Sequence, residues 1–325
     1  MAVFNRWPVC YIPPMQIFHS LAKQRGASVV TIGMFDGVHN WHQKILRAAI
    51  RDARRMKANA IAITFERHPR DVIRWPSHVR LISTTSQKLQ AFESIGLDRA
   101  VVVRFDAKFS RISPESFVKD YLLARLGMRE LCVGYDFAFG RNREGNLALL
   151  KKLSGSLGFR LRIFSPSRSD HAIVSSTATR SLLVEAKLDE AKKLLGRFYS
   201  MDGTVERGRG IGKSLGYPTA NIRMENDVLL PDGVYAVFVA DVANGLRPGV
   251  LNVGLRPTFE HSGGPKKSWE LHIWDFQKGL VGKRLQVHFV RRLRAERRFA
   301  SPEALSAQIG RDVNKAKAIL SRKTL

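Results

Sequence analysis

The order of elements predicts two folds in one chain: an α/β, Rossmann-like and mostly parallel sheet over residues 1–182, then a small antiparallel β-barrel with a C-terminal helix over 183–325. Three observations carry this. Short β-branched runs alternate with amphipathic stretches from residue 28 to residue 164, the pattern of repeated βα units. Beyond Gly196 the helical spacing gives way to closely spaced strands that alternate apolar and polar residues. The last amphipathic stretch starts at Ser301-Pro302, a cap followed by proline in the first turn.

A chain of 325 residues can bury two cores, and 44% hydrophobic with 25% charged residues is the composition of a globular protein. No apolar run approaches the roughly 20 residues that a membrane helix needs. Met1 to Pro14 holds three prolines and few consecutive apolar residues, so no secretory leader is expected. Cys10 and Cys132 are too few for a disulfide framework or a metal set. A reducing cytoplasm is the expected setting, with the chain as a monomer or weak homo-oligomer. The net charge of +26 would draw nucleic acid or any phosphorylated ligand. Its arginines are spread along the chain, however, and no zinc-finger spacing or RNP-like aromatic motif accompanies them. Solvated basic faces are the expectation, with non-specific RNA association as a side effect.

In the first half, Ser28 to Gly33 is a β-branched run ending on glycine and reads as a buried strand. Phe35-Asp36-Gly37-Val38-His39-Asn40-Trp41-His42 follows, then a helix to about Lys57 with Leu46, Ala49, Ile50 and Ala53 on one face. A strand, a tight loop and a helix put that loop where α/β folds bind ligands, past the carboxyl end of the strand. His39 and His42 stand at a helix start, where both can turn the same way and donate to a phosphate. A metal would need a third ligand, and none is evident. Further strands are expected over 60–65, 99–105, 131–134 and 160–164. Helices are expected over 84–94, from Ser113-Pro114 to about Leu126, and over 146–157.

In the second half, Leu182 to Leu195 reads as one helix that Gly196 stops. Strands are expected over 198–206, 234–242, 247–253, 268–274 and 285–290. The closing helix has Leu305, Ile309, Val313, Ala316 and Leu320 on its apolar face. After the first strand comes a glycine-rich loop, Gly208-Arg209-Gly210-Ile211-Gly212-Lys213-Ser214-Leu215-Gly216-Tyr217-Pro218-Thr219-Ala220-Asn221. Its glycines permit positive φ and close approach to an anion, while Lys213 adds charge and Ser214 and Thr219 add hydroxyls, so it suits phosphate. A P-loop would need glycine where Arg207 stands, and a helix where Gly216 and Pro218 would break one. A plain turn between strands describes this loop alone nearly as well.

Leu215-Gly216-Tyr217-Pro218-Thr219-Ala220-Asn221 resembles the signature of riboflavin kinases. Leu230-Pro231-Asp232-Gly233-Val234-Tyr235, Asn252-Val253-Gly254, Arg256-Pro257-Thr258, Glu270-Leu271-His272 and Leu293-Arg294-Ala295-Glu296 extend the match almost end to end. In the first half, the run from Gly33 to His42, Thr64-Phe65-Glu66-Arg67-His68-Pro69, Val133-Gly134-Tyr135-Asp136-Phe137-Ala138-Phe139-Gly140 and Ser175-Ser176-Thr177-Ala178-Thr179-Arg180 are similar to motifs of another domain. That domain is the adenylyltransferase half of bacterial bifunctional riboflavin kinase/FAD synthetases. The resemblance implies ATP-dependent phosphorylation of riboflavin to FMN and adenylylation of FMN to FAD, with Mg2+ as cofactor.

It also implies roles. Glu270 would be the base that takes the riboflavin hydroxyl proton, and Mg2+ would sit at Thr219 with Asn221 beside it. Gly212, Lys213 and Pro218 of the loop, with Asn252 and Arg294, are the further ligand-binding candidates of this half. Glu270 and Thr219 are expected to converge inside the closed sheet. In the first half, His39 and His42 would stabilise charge on the transferring phosphate, and Gly33, Phe35 and Asp36 would belong to the nucleotide site. Asp136 and nearby aromatics would orient the flavin, although Phe137 and Phe139 read by pattern as core. Ser176, Thr177 and Arg180 would hold the outgoing pyrophosphate.

Three positions depart from the motifs: Trp41 stands where the family has glycine between the histidines, Met34 for asparagine and Arg67 for proline. An indole at position 41 would occupy nucleotide space. The runner-up expectation is therefore a riboflavin kinase whose first domain has lost adenylyl transfer, and a basic RNA-associated protein is a distant third.

Overall fold

The computed structural model describes residues 14–69, 71, 79–169, 172–208, 212, 216–241, 245–256, 266–274 and 279–323. Contacts divide the chain into two compact units, Met1–Val79 with Thr85–Ser167, and Arg80–Thr84 with Arg168–Leu325. Among the described residues, no helix is long and apolar enough to cross a membrane.

The first unit is the expected α/β sheet. Its strands are β1 (Gln16–Phe18), β2 (Ser28–Ile32), β3 (Asn59–Phe65), β4 (Arg99–Val103), β5 (Met128–Gly134) and β6 (Arg160–Phe164). They pair in the order β1-β4-β3-β2-β5-β6, every neighbouring pair parallel. Val29, Val30, Ile61, Ile63, Val101 and Leu131 are fully buried, as a sheet covered on both faces requires. The strand order reverses at β2, which lies between β3 and β5. The loops after β2 and β5 thus leave in opposite directions and open a crevice at their carboxyl ends.

Helix α1 (Asn40–Arg55) buries Trp41, Ile45, Leu46, Ala48, Ala49 and Ala53, one apolar stripe at helical spacing. Helices α2 (Thr85–Ile95) and α4 (Leu147–Leu157) also lie where the pattern places them. The helix expected from Ser113 to Leu126 differs. Ser113 caps it and Pro114 starts it, but after α3 (Pro114–Ser116) the backbone widens to a π-helix over Phe117–Leu123. Strand β1 has too few residues for a periodicity and was not expected.

The second unit begins with α5 (Ser176–Val184) and α6 (Leu188–Leu195). The single helix expected over 182–195 is broken here, with Ala186 in the left-handed region at φ 54°. The break lets both helices turn an apolar face to one core, since Leu183, Leu188, Ala191 and Leu195 all join the barrel interior. Six strands close that barrel: β9 (Tyr199–Glu206), β10 (Ala220–Met224), β11 (Gly233–Asp241), β12 (Gly245–Arg256), β13 (Lys266–Ile273) and β14 (Arg284–Arg294), in the order β10-β13-β12-β11-β14-β9. A two-stranded ribbon of β7 (Arg168–Ser169) and β8 (Ala172–Ile173) precedes α5.

Alternation sorts the barrel residues by side. Met201, Tyr235, Val237, Leu251, Val253, Trp269, Leu271, Val287 and Phe289 fill the inside. Val234, Ala236, Val250 and Val290 face out and are covered by Val313, Ala316 and Leu320 of α7 (Pro302–Leu320), whose cap is Ser301 as expected. The short segment Arg80–Thr84 belongs to this unit although its neighbours in sequence do not. Ile82 enters the barrel core, and the Leu81 amide donates to Asp227 at 2.6 Å. By contacts this unit also starts at Arg168, ahead of the change of pattern expected at residue 183, because α5 packs into the barrel core through Leu183.

His288 on β14 supplies a test of this packing. Burial pushes its pKa from 6.5 down to about 4. The unfolded chain therefore takes up this proton first as pH falls. The stability is full above about pH 6.5 and is lost progressively down to about pH 4. Denaturant midpoints measured across that window should fall in the wild type, and His288→Gln should fall less steeply over the same window.

Candidate active sites

The first site grows from the loop after β2. Gly33 donates its amide to the Ile63 carbonyl at 3.1 Å and so continues the sheet edge. The backbone then turns through left-handed residues, Phe35 at φ 48°, Gly37 at φ 77° and Val38 at φ 39°. For Phe and Val that conformation costs on the order of 1–3 kcal/mol each, so the surroundings must hold it. Two contacts do so for Phe35: its ring meets Phe92 of α2 edge-on at 5.3 Å, and His42 edge-on at 5.2 Å.

His39 caps α1, its Nδ1 accepting from the His42 amide, and the two imidazoles stack at 3.6 Å. His42 faces the cavity while His39 lies almost wholly buried beside it. Burial, with further contributions from His39 and Lys88, holds the His42 pKa well below the ordinary value, so the ring is neutral near pH 7, and its buried Nδ1 has no hydrogen-bond partner among the described residues. A neutral imidazole at a cavity wall can donate from one ring nitrogen and accept at the other.

The cavity in front of these rings measures about 880 Å³. Gly33, Met34, Phe35, Trp41 and His42 form one side, and Gly134, Asp136, Phe137 and Phe139 come from beyond β5. Phe65, Phe105, Phe109 and Phe117 continue the wall in edge-to-face contacts of 5.8–6.2 Å. Phe139 is core, as the pattern suggests, yet it stacks on Phe137 at 5.3 Å where both line the cavity. Asp36 is buried in the loop, where its charge acts on Lys88. Arg67 is exposed on the loop after β3.

Trp41 lies on the β5 side of this crevice. Its indole Nε1 donates to the Ser165 carbonyl at 2.9 Å, and the ring rests on Gly134 so closely that a Cβ there would stand 2.5 Å from Cη2. The ring lines the cavity without closing it. Ser176, Thr177 and Arg180 lie on α5 in the second unit, and Arg180 Nε donates to the Arg80 carbonyl at 2.8 Å.

The second site lies on the barrel, and register assembles it. Glu270 on β13 stands opposite Asn221 on β10 and opposite Asn252 on β12. Residues directly opposite on neighbouring strands share a face, so the three side chains form one row. Their chain neighbours Ile222, Leu251, Val253, Trp269 and Leu271 point inward. The row therefore lies on the outer face. Convergence inside the closed sheet is thus corrected: apolar side chains fill the interior, which leaves the outside for polar chemistry.

Period-two alternation carries Thr219 to the same side as Asn221. Gly212 is pressed against it, for a Cβ there would lie 2.8 Å from Thr219 Oγ1. Pro218 is anchored by His272, whose Nδ1 donates to its carbonyl at 2.9 Å, and Tyr217 meets the same imidazole edge-on at 5.5 Å. His272 is thus a support that the motif match contains but the role assignment omitted. Glu296 reaches over Gly254, further along the outer face of β12. Arg294 forms an ion pair at 2.9 Å with Asp312 of α7. Lys213 lies outside the described residues.

The family model of FAD synthetase matches residues 21–178, and that of riboflavin kinase matches residues 195–320. A protein of Escherichia coli (strain K12) named bifunctional riboflavin kinase/FMN adenylyltransferase is 35% identical, covering 90% of this chain and 92% of the relative. Proteins of the same name from Haemophilus influenzae and Pseudomonas fluorescens are 34% and 36% identical, and each covers 93% of this chain, with 97% and 96% of the relative. A crystal structure titled as a macrolide-efflux protein from Streptococcus pneumoniae superposes with a TM-score of 0.83 over 94% of this chain and 99% of its own. At 24% identity that likeness concerns the fold alone.

Because the Trp41 ring occupies the space above Gly134, Gly134→Ala should displace the indole and lower stability by about 1–3 kcal/mol. Thermal unfolding followed by tryptophan fluorescence checks both effects, and an unshifted spectrum with an unchanged midpoint would contradict the contact.

Proposed function

Because this chain belongs to the family of bifunctional riboflavin kinase/FMN adenylyltransferases, we propose that it phosphorylates riboflavin to FMN with ATP and then joins FMN to the adenylyl group of a second ATP to give FAD. The kinase activity is assigned to residues 183–325 and the adenylyl transfer to residues 1–182. The observation that carries the kinase reading is the outer-face row of Asn221, Glu270 and Asn252 beside Thr219.

In the first reaction the ribityl 5′-hydroxyl of riboflavin attacks the γ-phosphorus of ATP, the bond to the β,γ-bridging oxygen breaks, and ADP leaves. A primary alcohol is a weak nucleophile near pH 7, so a carboxylate that takes its proton as the new bond forms lowers the barrier. Glu270 is that base. Its neighbours Asn221 and Asn252 bring amide groups that can orient the hydroxyl and the phosphate without competing for the proton. The residues fit a hard cation: the Thr219 hydroxyl and the Asn221 amide oxygen are oxygen donors, and the close approach of Gly212 leaves Thr219 in a cradle of backbone. Mg2+ held there would neutralise phosphate charge. Gly212, Lys213 and Pro218 are assigned to the phosphate loop, and Arg294, through its pair with Asp312, fixes α7 against the barrel near the flavin.

In the second reaction an FMN phosphate oxygen attacks the α-phosphorus of ATP, the bond to the α,β-bridging oxygen breaks, and pyrophosphate leaves. No proton has to move, so placement and complementary charge carry the catalysis. The cavity of about 880 Å³ that His42 lines supports this reading. Its aromatic wall suits an isoalloxazine ring, with Asp136 at one edge as a hydrogen-bond acceptor. His42 and His39 are assigned to the transferring phosphate, and Ser176, Thr177 and Arg180 to the pyrophosphate.

Trp41 favours one qualification: its indole stands in the cavity wall where the family has glycine, and on that ground adenylyl transfer is assigned as the slower of the two activities. The partners on this reading are small molecules in the cytoplasm, and the basic surface has no part in it.

Purified protein with riboflavin, ATP and Mg2+ should yield FMN and then FAD, resolved by chromatography; FMN alone would leave a kinase only. Glu270→Ala should lower FMN formation by about 10²- to 10⁴-fold while ATP binding persists, and retained turnover would remove Glu270 as the base. Trp41→Gly should raise the FAD formed from FMN. An unchanged yield would place the indole away from the nucleotide.

A further inference from the structure

Neither reaction has so far used Lys88, a lysine on α2 with only 1% of its surface exposed. Its Nζ donates to the Phe65 carbonyl at 2.7 Å and lies 3.4 Å from Thr64 Oγ1 and 3.5 Å from the Met34 carbonyl. Thr64 Oγ1 in turn donates to the same Met34 carbonyl at 3.1 Å. These acceptors belong to the loop after β2 and to the last two residues of β3, and Met34 and Phe65 both line the cavity. One turn further along α2, Phe92 supports the Phe35 ring against which His42 packs. A single helix face therefore holds the strained loop by its backbone and by its aromatic side chain.

Packing alone does not account for a cation here. Methionine would fill much the same volume without the cost of taking an ammonium out of water. The converging carbonyls account for it, since a buried acceptor left without a donor is itself destabilising. Phe92, by contrast, could be any ring of its size.

We propose that Lys88 is a positioning residue for adenylyl transfer: its ammonium clamps the loop after β2 to the end of β3 and thereby holds His42 and the cavity rim in register with the reacting phosphates. The inference rests on the reading of the first unit as the adenylyltransferase. The charged and titratable groups that bear on the ammonium are the buried Asp36 in the loop, which favours its charged form, and His42 with its stacked partner His39 at the start of α1. Burial outweighs Asp36 and brings the Lys88 pKa down to about 8. The clamp accordingly weakens as pH rises through about 8, where ammonium becomes amine and its hold on three oxygen acceptors slackens.

The test compares wild type with Lys88→Met and Lys88→Arg. Pyrophosphate release from FMN and ATP is followed from about pH 6 to about pH 10, with riboflavin phosphorylation by the same protein as internal control. Lys88→Met should lower kcat for adenylyl transfer by about 100-fold, the scale expected for a displaced catalytic group, with a smaller change in KM and no change in the kinase rate. Wild type should show an alkaline limb near pH 8, and Lys88→Arg, which keeps its charge, should retain activity and lose that limb. Hydrogen exchange of the amides from Gly33 to His39 should be faster in Lys88→Met without any ligand present. Wild-type kcat in Lys88→Met, an unmoved alkaline limb in Lys88→Arg, or unaltered exchange in the loop would each overturn the clamp. If the wild type releases no pyrophosphate, the functional reading of the first unit fails instead, and the exchange measurement still decides the clamp.

Discussion

A strand in a barrel whose interior is packed with apolar side chains has one side committed to the core, so a polar group that must meet a ligand is left the other. The second unit is arranged around that constraint. Tyr235, Leu251, Trp269, Leu271 and Phe289 fill the interior, and Asn221, Glu270 and Asn252 line up outside because their neighbours point in. The outer face is shared: α7 covers the part that carries Val234 and Val250, and Gly212 lies against Thr219, just before β10. On that face the Asn221 and Asn252 amides and the Glu270 carboxylate stand side by side, clear of the apolar core.

The first unit solves a different problem. A parallel sheet is covered on both faces, so its ligand site must lie at the strand ends, where the order reverses. There the loop after β2 bends through Phe35 and Val38 in a conformation that those residues resist. The strain is balanced by aromatic contacts and by the carbonyls gathered around a buried ammonium. The same arrangement leaves His42 neutral at the cavity wall.

Much of this could be read from residue order. The βα alternation, the helix starts at Ser113-Pro114 and Ser301-Pro302, and the short strands after Gly196 depend on local spacing, which a sequence displays directly. Glu270 between Trp269 and Leu271 already carried the information that it faces away from the core, and expecting it inside the barrel overlooked that alternation. Other features depend on contacts between distant segments. The row across β10, β13 and β12 is a matter of register, and no local pattern reports register. Lys88 looks like any lysine on an amphipathic helix until Met34, Thr64 and Phe65 are seen around it. The break at Ala186 has no glycine or proline to announce it and exists because two helix faces must reach one core. The π-helical stretch over Phe117–Leu123 likewise has no local mark.

The excursion of Arg80–Thr84 bears on how the two activities were joined and on whether they can be parted. Ile82 is seated among the barrel's interior residues, and Leu81 and Arg80 bond to Asp227 and Val228. A fragment beginning at residue 183 would leave that seat empty, and a fragment ending at residue 182 would carry an apolar tab with nowhere to lodge. The second unit is therefore not a cassette that a single cut could release, because part of its own wall is encoded within the sequence of the first.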